Sequence, residues 1–342
     1  MKNKKLFGLA ATALASFLIL AGCGGEEAGG GNGGGKKKVI KVAHYFAEDH
    51  PQNVALKEKF KTIVEEETNG ELEVQLYPNS TLGAEKEFYD GVRNGTIEMG
   101  IPGLIMQADI PKMAAPEWPF LFKDFDHAKK VLNGPIGDEL TEDLESEHGV
   151  KPLAWSANGF RMISSNKTID SLEDLDGLRL RMPNIPNYIE LGKLLGANVT
   201  PLPISEVFTA MEQKVVDGQD NPIATVRASG WYEVQSDILE SKHMFSPNLY
   251  IINSNFWNGL TEEQQKIIEK ASKEAADYEF DLLEKSYEED KKFLEDNGLK
   301  FTAPSEEFSA EMEEAAQPLY EDIYSEFDWA KDLADRIRAE AE

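Results

Sequence analysis

Arg161 and Arg181 are the residues through which this chain could grip a small anion. Arg181 ends the apolar run Leu178–Arg181 and is followed by Met182-Pro183-Asn184. At the carboxyl end of a strand in an α/β sheet, a guanidinium faces the crevice, and its planar fork can take both oxygens of a carboxylate. The same spacing also suits a surface or structural ion pair. Arg161 follows Asn158-Gly159-Phe160, and taken alone it reads as half of a structural salt bridge. Asn158 beside it is a further candidate. Asn221 lies in Gly218-Gln219-Asp220-Asn221-Pro222, a turn by composition. Its side-chain amide can also donate to a carboxylate or hydroxyl. Tyr45, at the end of the first predicted strand, and Glu85, after Leu82-Gly83, are polar groups able to face a ligand. Glu85 could accept hydroxyls from a sugar acid. Trp118 reads as core, and Phe208 as core or cleft lining.

These residues need a scaffold of alternating strands and helices. The sequence predicts a strand at Val39–Tyr45, a helix over Asn53–Thr68 ending at Asn69-Gly70, and a strand at Leu72–Tyr77. A helix at Glu85–Arg93 and a strand at Ile97–Ile101 follow. This β-α-β-α-β order implies a parallel sheet covered by helices. A second such region spans 160–244, with strands at Leu178–Arg181 and Val199–Leu202 and helices at Tyr188–Leu195 and Ser205–Lys214. Ser171 to Asp174 reads as a helix start of the capping-box type. From Thr261 the character changes. Thr261-Glu262-Glu263-Gln264 is a capping box, and no Gly or Pro interrupts the chain until Gly298. A helix of that length would reach roughly 50 Å. Sustained a/d heptads are lacking, which argues against a coiled coil.

Composition narrows the function classes. The chain has 342 residues, 41% hydrophobic and 9% aromatic, enough for about two packed domains. Its formal net charge of −27 argues against nucleic acid, which needs clustered Lys and Arg. It argues equally against adsorption to an anionic bilayer by charge alone. The five histidines form no HExxH pattern, and no cysteine cluster exists, so neither a metal nor another cofactor is expected. His44 and His50 could see ligand, though a surface role is the commoner one. No nucleotide-binding or hydrolase motif occurs. Lys2, Lys4 and Lys5 precede the apolar run Leu6–Leu20, the pattern of a secretory signal. The run ends in Leu20-Ala21-Gly22-Cys23, which resembles a lipobox; an ordinary signal with an incidental cysteine is the alternative. The Gly-rich stretch through Lys38 then reads as a flexible tether.

Four segments in order, Gly159–Arg161, Leu180–Asn184 (LRMPN), Pro203–Val207 and Val216–Pro222 (VDGQDNP), resemble the solute-binding proteins of tripartite ATP-independent periplasmic (TRAP) transporters. The resemblance covers almost all of the mature chain. It implies an α/β, two-lobed periplasmic-binding-protein-like fold, each lobe a mostly parallel sheet flanked by helices, with one long helix connecting the lobes. On this reading residues 1–22 are a lipoprotein signal peptide, and 23–38 are the lipidated Cys23 and its tether. Lobe I is 39–158 plus about 247–285, and lobe II is 159–246 plus about 286–342. The implied function is capture of a small organic acid, a C4-dicarboxylate or a sugar acid, by a monomer held extracytoplasmically at the membrane through lipid on Cys23. Delivery would be to integral membrane permease subunits driven by an ion gradient. Arg181 would pair with the ligand carboxylate, Arg161 would face the ligand or brace its partner, and Asn221 would contact the carboxylate. The family carries Glu where this chain has Asp220, a small departure. Sialic-acid binders of the family carry Glu and Arg where this chain has Pro102 and Ile105, which favours a smaller acid. A secreted enzyme acting on acidic sugars is the alternative, but it needs two paired carboxylates that the sequence does not identify.

Overall fold

The computed structural model describes residues 37–341. The signal segment, Cys23 and nearly all of the Gly-rich stretch lie outside the described residues. Lys38 does not belong to a tether. It opens the first strand, and its ammonium donates to the Gly259 carbonyl at 2.5 Å.

Among the described residues, nine strands form one mixed sheet. They are β1 (Lys38–His44), β2 (Leu72–Tyr77), β3 (Met99–Ile101), β4 (Val150–Ser165), β5 (Arg179–Met182), β6 (Asn198–Pro201), β7 (Gly218–Asn221), β8 (Asp237–Asn253) and β9 (Lys300–Thr302). Their order is β2-β1-β3-β8-β4-β7-β5-β6, with β9 also on β8. The pairs around β1 and those of β5 with β6 and β7 are parallel, as the alternating pattern predicts. The two sheets expected from the sequence are therefore two parallel blocks of a single sheet. The long strands β4 and β8 join them, antiparallel to each other and to the flanking blocks.

Neither joining strand is evident from the sequence. Both carry turn residues, Pro152 and Gly159 in β4 and Pro247 in β8. The structure accommodates irregularity in this pair by register shifts at Pro152/Ala154, Ala157/Gly159 and Arg161/Ile163. Such bulges bend a strand without ending its ladder.

The long helix is as predicted. It spans Glu262–Asp296, 35 residues, and the Thr261 hydroxyl accepts from the Gln264 amide at 3.2 Å while Gln264 accepts back from Thr261 N–H. Its apolar face serves three separate core regions in turn. Ile268, Ala271 and Ala275 pack with β1 to β3 residues such as Val42 and Val74. Phe280 and Leu283 join the large central cluster around Trp118 and Leu180. Leu294 packs with Met162, Trp231 and Ile238. A single helix thus ties the two parallel blocks together through buried apolar area. Two local details differ from expectation. The first helix starts at Pro51, capped by His50, and widens to π geometry over Leu56–Lys61. Ser171 begins only a short 3-10 turn with no side-chain cap on its amides; the Asp174 carboxylate instead accepts from Asp170 N–H at 3.0 Å.

Candidate functional site

The carboxyl ends of the parallel strands converge on one cleft of about 500 Å³. Tyr45 follows β1, Pro102 follows β3, Pro183 follows β5, Leu202 follows β6, and Asn221 ends β7; all line it. Glu85 enters from the start of the Glu85–Asn94 helix, and Asn158 and Arg161 from the middle of β4. All six residues singled out in the sequence therefore meet at a single opening, although they come from both parallel blocks.

Glycines in two motif segments have steric causes. Gly159 has φ +112°, a conformation that L side chains resist, and a Cβ there would lie 3.3 Å from Phe125 Cζ. Gly218 is required by close approach, since a Cβ would come within 2.2 Å of the Ser164 carbonyl oxygen on β4. The two glycines let β4 and β7 bring Arg161, Asp220 and Asn221 together.

Arg161 is 3% exposed, and protein acceptors engage all three of its guanidinium nitrogens. Its Nε donates to Asp220 Oδ2 at 2.6 Å and its Nη2 to Oδ1 at 3.0 Å. Nη2 also donates to the Asp220 carbonyl, Nη1 reaches Ser246 Oγ at 3.4 Å, and the guanidinium lies 4.9 Å over the Tyr188 ring. His243 Nε2 stands 3.5 Å from the same carboxylate. Burial alone would raise the Asp220 carboxyl, but the Arg161 charge and the His243 contact hold it well below the usual carboxylate range. Arg161 is thus a braced member of a buried ion pair. Asp220, to which the sequence reading gives no role, is its partner.

Arg181 is different. It is 1% exposed, and its Nε and Nη2 both donate to one acceptor, the Leu202 carbonyl, at 2.9 and 2.6 Å. It makes no ion pair among the described residues. Burial lowers its pKa to about 10, with Asp220 pulling upward and Arg161 downward, so it stays cationic at neutral pH. A desolvated cation without a counter-charge costs free energy unless an anion arrives.

The other predicted residues surround this pair. Asn221 Nδ2 donates to Gln219 Oε1 at 2.8 Å, and Asn158 Oδ1 accepts from Thr225 Oγ1 at 2.8 Å. Tyr45 OH donates to Asn248 Oδ1 at 3.1 Å. Glu85 Oε1 accepts from Ile204 N–H at 3.3 Å, a contact that closes one block over the other. Pro102 and Ile105 line the cleft as well, so the positions that differ from sialic-acid binders do face it. Trp118 is core, stacked on Trp329, and Phe208 packs in the cluster around Trp231.

Glu117 and Tyr188 line the cleft without having been singled out. Glu117 is 2% exposed, and its carboxylate accepts from Tyr188 OH at 2.7 Å and Gln107 Nε2 at 2.6 Å. Its only signal in the sequence was a charged residue inside the apolar stretch 113–122, where charge is expensive unless used.

His44 and His50 are not on the surface. They are 0% and 1% exposed, and neither lines the cleft. His44 Nε2 contacts Asn53 Oδ1 at 3.2 Å; His50 Nδ1 accepts from Gln52 N–H at 3.1 Å and caps its helix. Burial lowers His44 to about 4, and burial with the His44 charge lowers His50 to about 3. The unfolded chain takes protons on both rings below about pH 6.5 and the folded one refuses them. Stability is therefore full above that pH and falls as pH drops toward 4 and 3. Chemical denaturation at pH 7 and 5.5 should find a loss of about 2.5 kcal/mol from the two rings. His50→Asn, which keeps a capping acceptor, should remove about half of it.

Comparison with known proteins accords with this geometry. Residues 42–326 match the model of the bacterial extracellular solute-binding protein family 7 (DctP). The 2,3-diketo-L-gulonate-binding periplasmic protein of Escherichia coli is 36% identical over 71% of this chain and 74% of its own. A TRAP periplasmic solute-binding protein from Haemophilus influenzae, solved with bound L-gulonate, superposes with a TM-score of 0.85 at 44% identity, covering 88% of this chain and 99% of that one. One from Roseobacter denitrificans, with bound L-galactonate, gives a TM-score of 0.78 at 32% identity over 82% and 92%. The enzyme alternative is set aside, because the family and these relatives are solute binders. This chain belongs to the DctP family of extracellular solute-binding proteins, the binding components of TRAP transporters.

Proposed function

We propose that the cleft captures a sugar acid with a single carboxylate, such as a hexonate, and that the protein hands it to a TRAP permease in the membrane. The carrying observation is Arg181, a buried guanidinium with no carboxylate partner among the described residues. Its charge calls for one anionic oxygen pair, with Asn221 as neighbouring amide donor and Arg161 as a braced cation behind them. The remaining charges argue for one carboxylate rather than two. Arg161 is neutralised by Asp220, Lys86 and Arg93 share Asp90 at 2.7 and 3.8 Å, and Glu85, Asp109 and Glu117 add negative charge to the cleft. A second ligand carboxylate would meet repulsion there, whereas hydroxyls could donate to those groups. The bound L-gulonate and L-galactonate of the two structural relatives fit that chemistry. Tyr45, Glu85 and Asn158 would serve the polyol chain. Residues 39–158 with about 247–285, and 159–246 with about 286–342, would act as the two lobes that close on it. Lipid on Cys23 would keep the monomer beside its permease.

A thermal-shift screen followed by calorimetry tests this. L-gulonate, L-galactonate or a hexuronate should raise the melting temperature, by the equivalent of about 2.7 kcal/mol at a hundredfold excess over Kd. A response to succinate or malate with none to any sugar acid would overturn the single-carboxylate reading.

A further inference from the structure

We infer that Glu117 is a specificity-determining residue of the cleft: it takes a hydroxyl of the sugar acid and turns away ligands that carry a second carboxylate. The inference rests on the sugar-acid reading above and extends it to a residue outside the arginine clamp.

Glu117 is the cleft's one wholly buried carboxyl without a cation in contact among the described residues. Asp220 has Arg161, Asp90 has Lys86, and Glu85 is only half-buried. Two neutral donors hold Glu117 from opposite elements, Tyr188 from the Pro186–Leu194 helix and Gln107 from the Ile105–Ala108 turn. Gln107 Nε2 is itself pinned to the Leu104 carbonyl at 3.1 Å. Each carboxylate oxygen therefore has one fixed donor. A carboxylate offers about four acceptor sites, so capacity remains for a ligand hydroxyl on the cleft side. The carboxyl is oriented before any ligand arrives, which is what a discriminating contact requires.

The charges facing it come from several elements. Arg161 on β4 acts from beneath the Tyr188 ring, Asp220 lies on β7, and Tyr45 follows β1. Burial outweighs the hydrogen bonds and Arg161, and lifts the carboxyl to about 7. Above that pH Glu117 is a buried anion that repels a second ligand carboxylate. Below it the group is neutral and the repulsion fades. Hydroxyl recognition survives the change, because a protonated carboxyl both donates and accepts.

L-galactonate and galactarate are suited to the test, since galactarate carries a second carboxylate in place of the terminal alcohol. Calorimetry on the intact soluble protein at pH 6 and pH 8 should find that galactonate is preferred at pH 8 by at least about tenfold, and that the preference shrinks at pH 6. Glu117→Gln keeps the shape without the charge. It removes an acceptor oxygen and so should weaken galactonate binding, and it should show a smaller preference that is the same at both pH values. The pH arm needs no variant, so it stands even if Glu117→Gln folds poorly. A galactonate preference indifferent to pH in the unaltered protein, or unchanged in Glu117→Gln, would overturn the role of Glu117. Failure of the unaltered protein to bind any sugar acid would overturn the sugar-acid reading itself, and this inference with it.

Discussion

Arg181→Met should make the ligand-free protein more stable and leave it unable to hold its acid. The buried guanidinium, lowered to about 10 by burial, costs about 3 kcal/mol at neutral pH relative to a solvated one. Methionine fills similar space without charge. The substitution orphans the Leu202 carbonyl, which now accepts two hydrogen bonds, so the net gain should be nearer 1–3 kcal/mol. Urea denaturation without ligand would measure it. Calorimetry with L-gulonate should find affinity lost by about 2–5 kcal/mol, roughly thirtyfold to several-thousandfold. Unchanged affinity would remove Arg181 from the site. Loss of affinity with lower stability would make it a structural arginine. The opposed signs are the diagnostic, because a charge kept for function is kept at the expense of the fold.

Asp220→Ala should have the opposite effect on the fold. It leaves Arg161 buried with no counter-charge and should destabilise the protein by about 3–5 kcal/mol. The double variant Arg161→Met/Asp220→Leu removes both charges and should recover most of that loss, because a buried pair stabilises little against an apolar replacement. Denaturation midpoints of the three proteins would check this. If Asp220→Ala costs under about 1 kcal/mol, the pair is solvated in solution and the bracing role of Arg161 fails. The two arginines thus predict contrasting results, although both are buried in the same cleft.

Much of the machinery was legible in the chain. The helix from Glu262 to Asp296 could be read because its start carries a reciprocal cap and no breaker follows until Gly298. Strands β1, β2 and β5 announced themselves through short apolar runs beside turn residues. Strands β4 and β8 did not. Their prolines and the positive-φ glycine look like punctuation locally, and only the partner strand supplies the hydrogen bonds that override it. His44 and His50 are buried for the same kind of reason. Polarity suggests the surface, but Asn53 engages one nitrogen of His44, and Gln52 and Thr225 engage the two of His50, inside the fold.

The residue types and motif order alone determined the family and the six residues that gather at one cleft. Those properties depend on local chemistry: a guanidinium at a strand end, a glycine where a Cβ has no room, an amide that the sequence reads as a turn and the structure places at the end of β7. Only the tertiary structure decided which arginine is neutralised and which meets no carboxylate among the described residues. That difference hangs on Asp220 reaching Arg161 across the β4–β7 pairing while Arg181 finds only a carbonyl. It likewise decided that Glu117 belongs to the cleft, since its burial and donors come from the 105–108 turn and the helix at 186–194. A charge's cost and use are set by its surroundings in space, and those are contributed by residues distant along the chain.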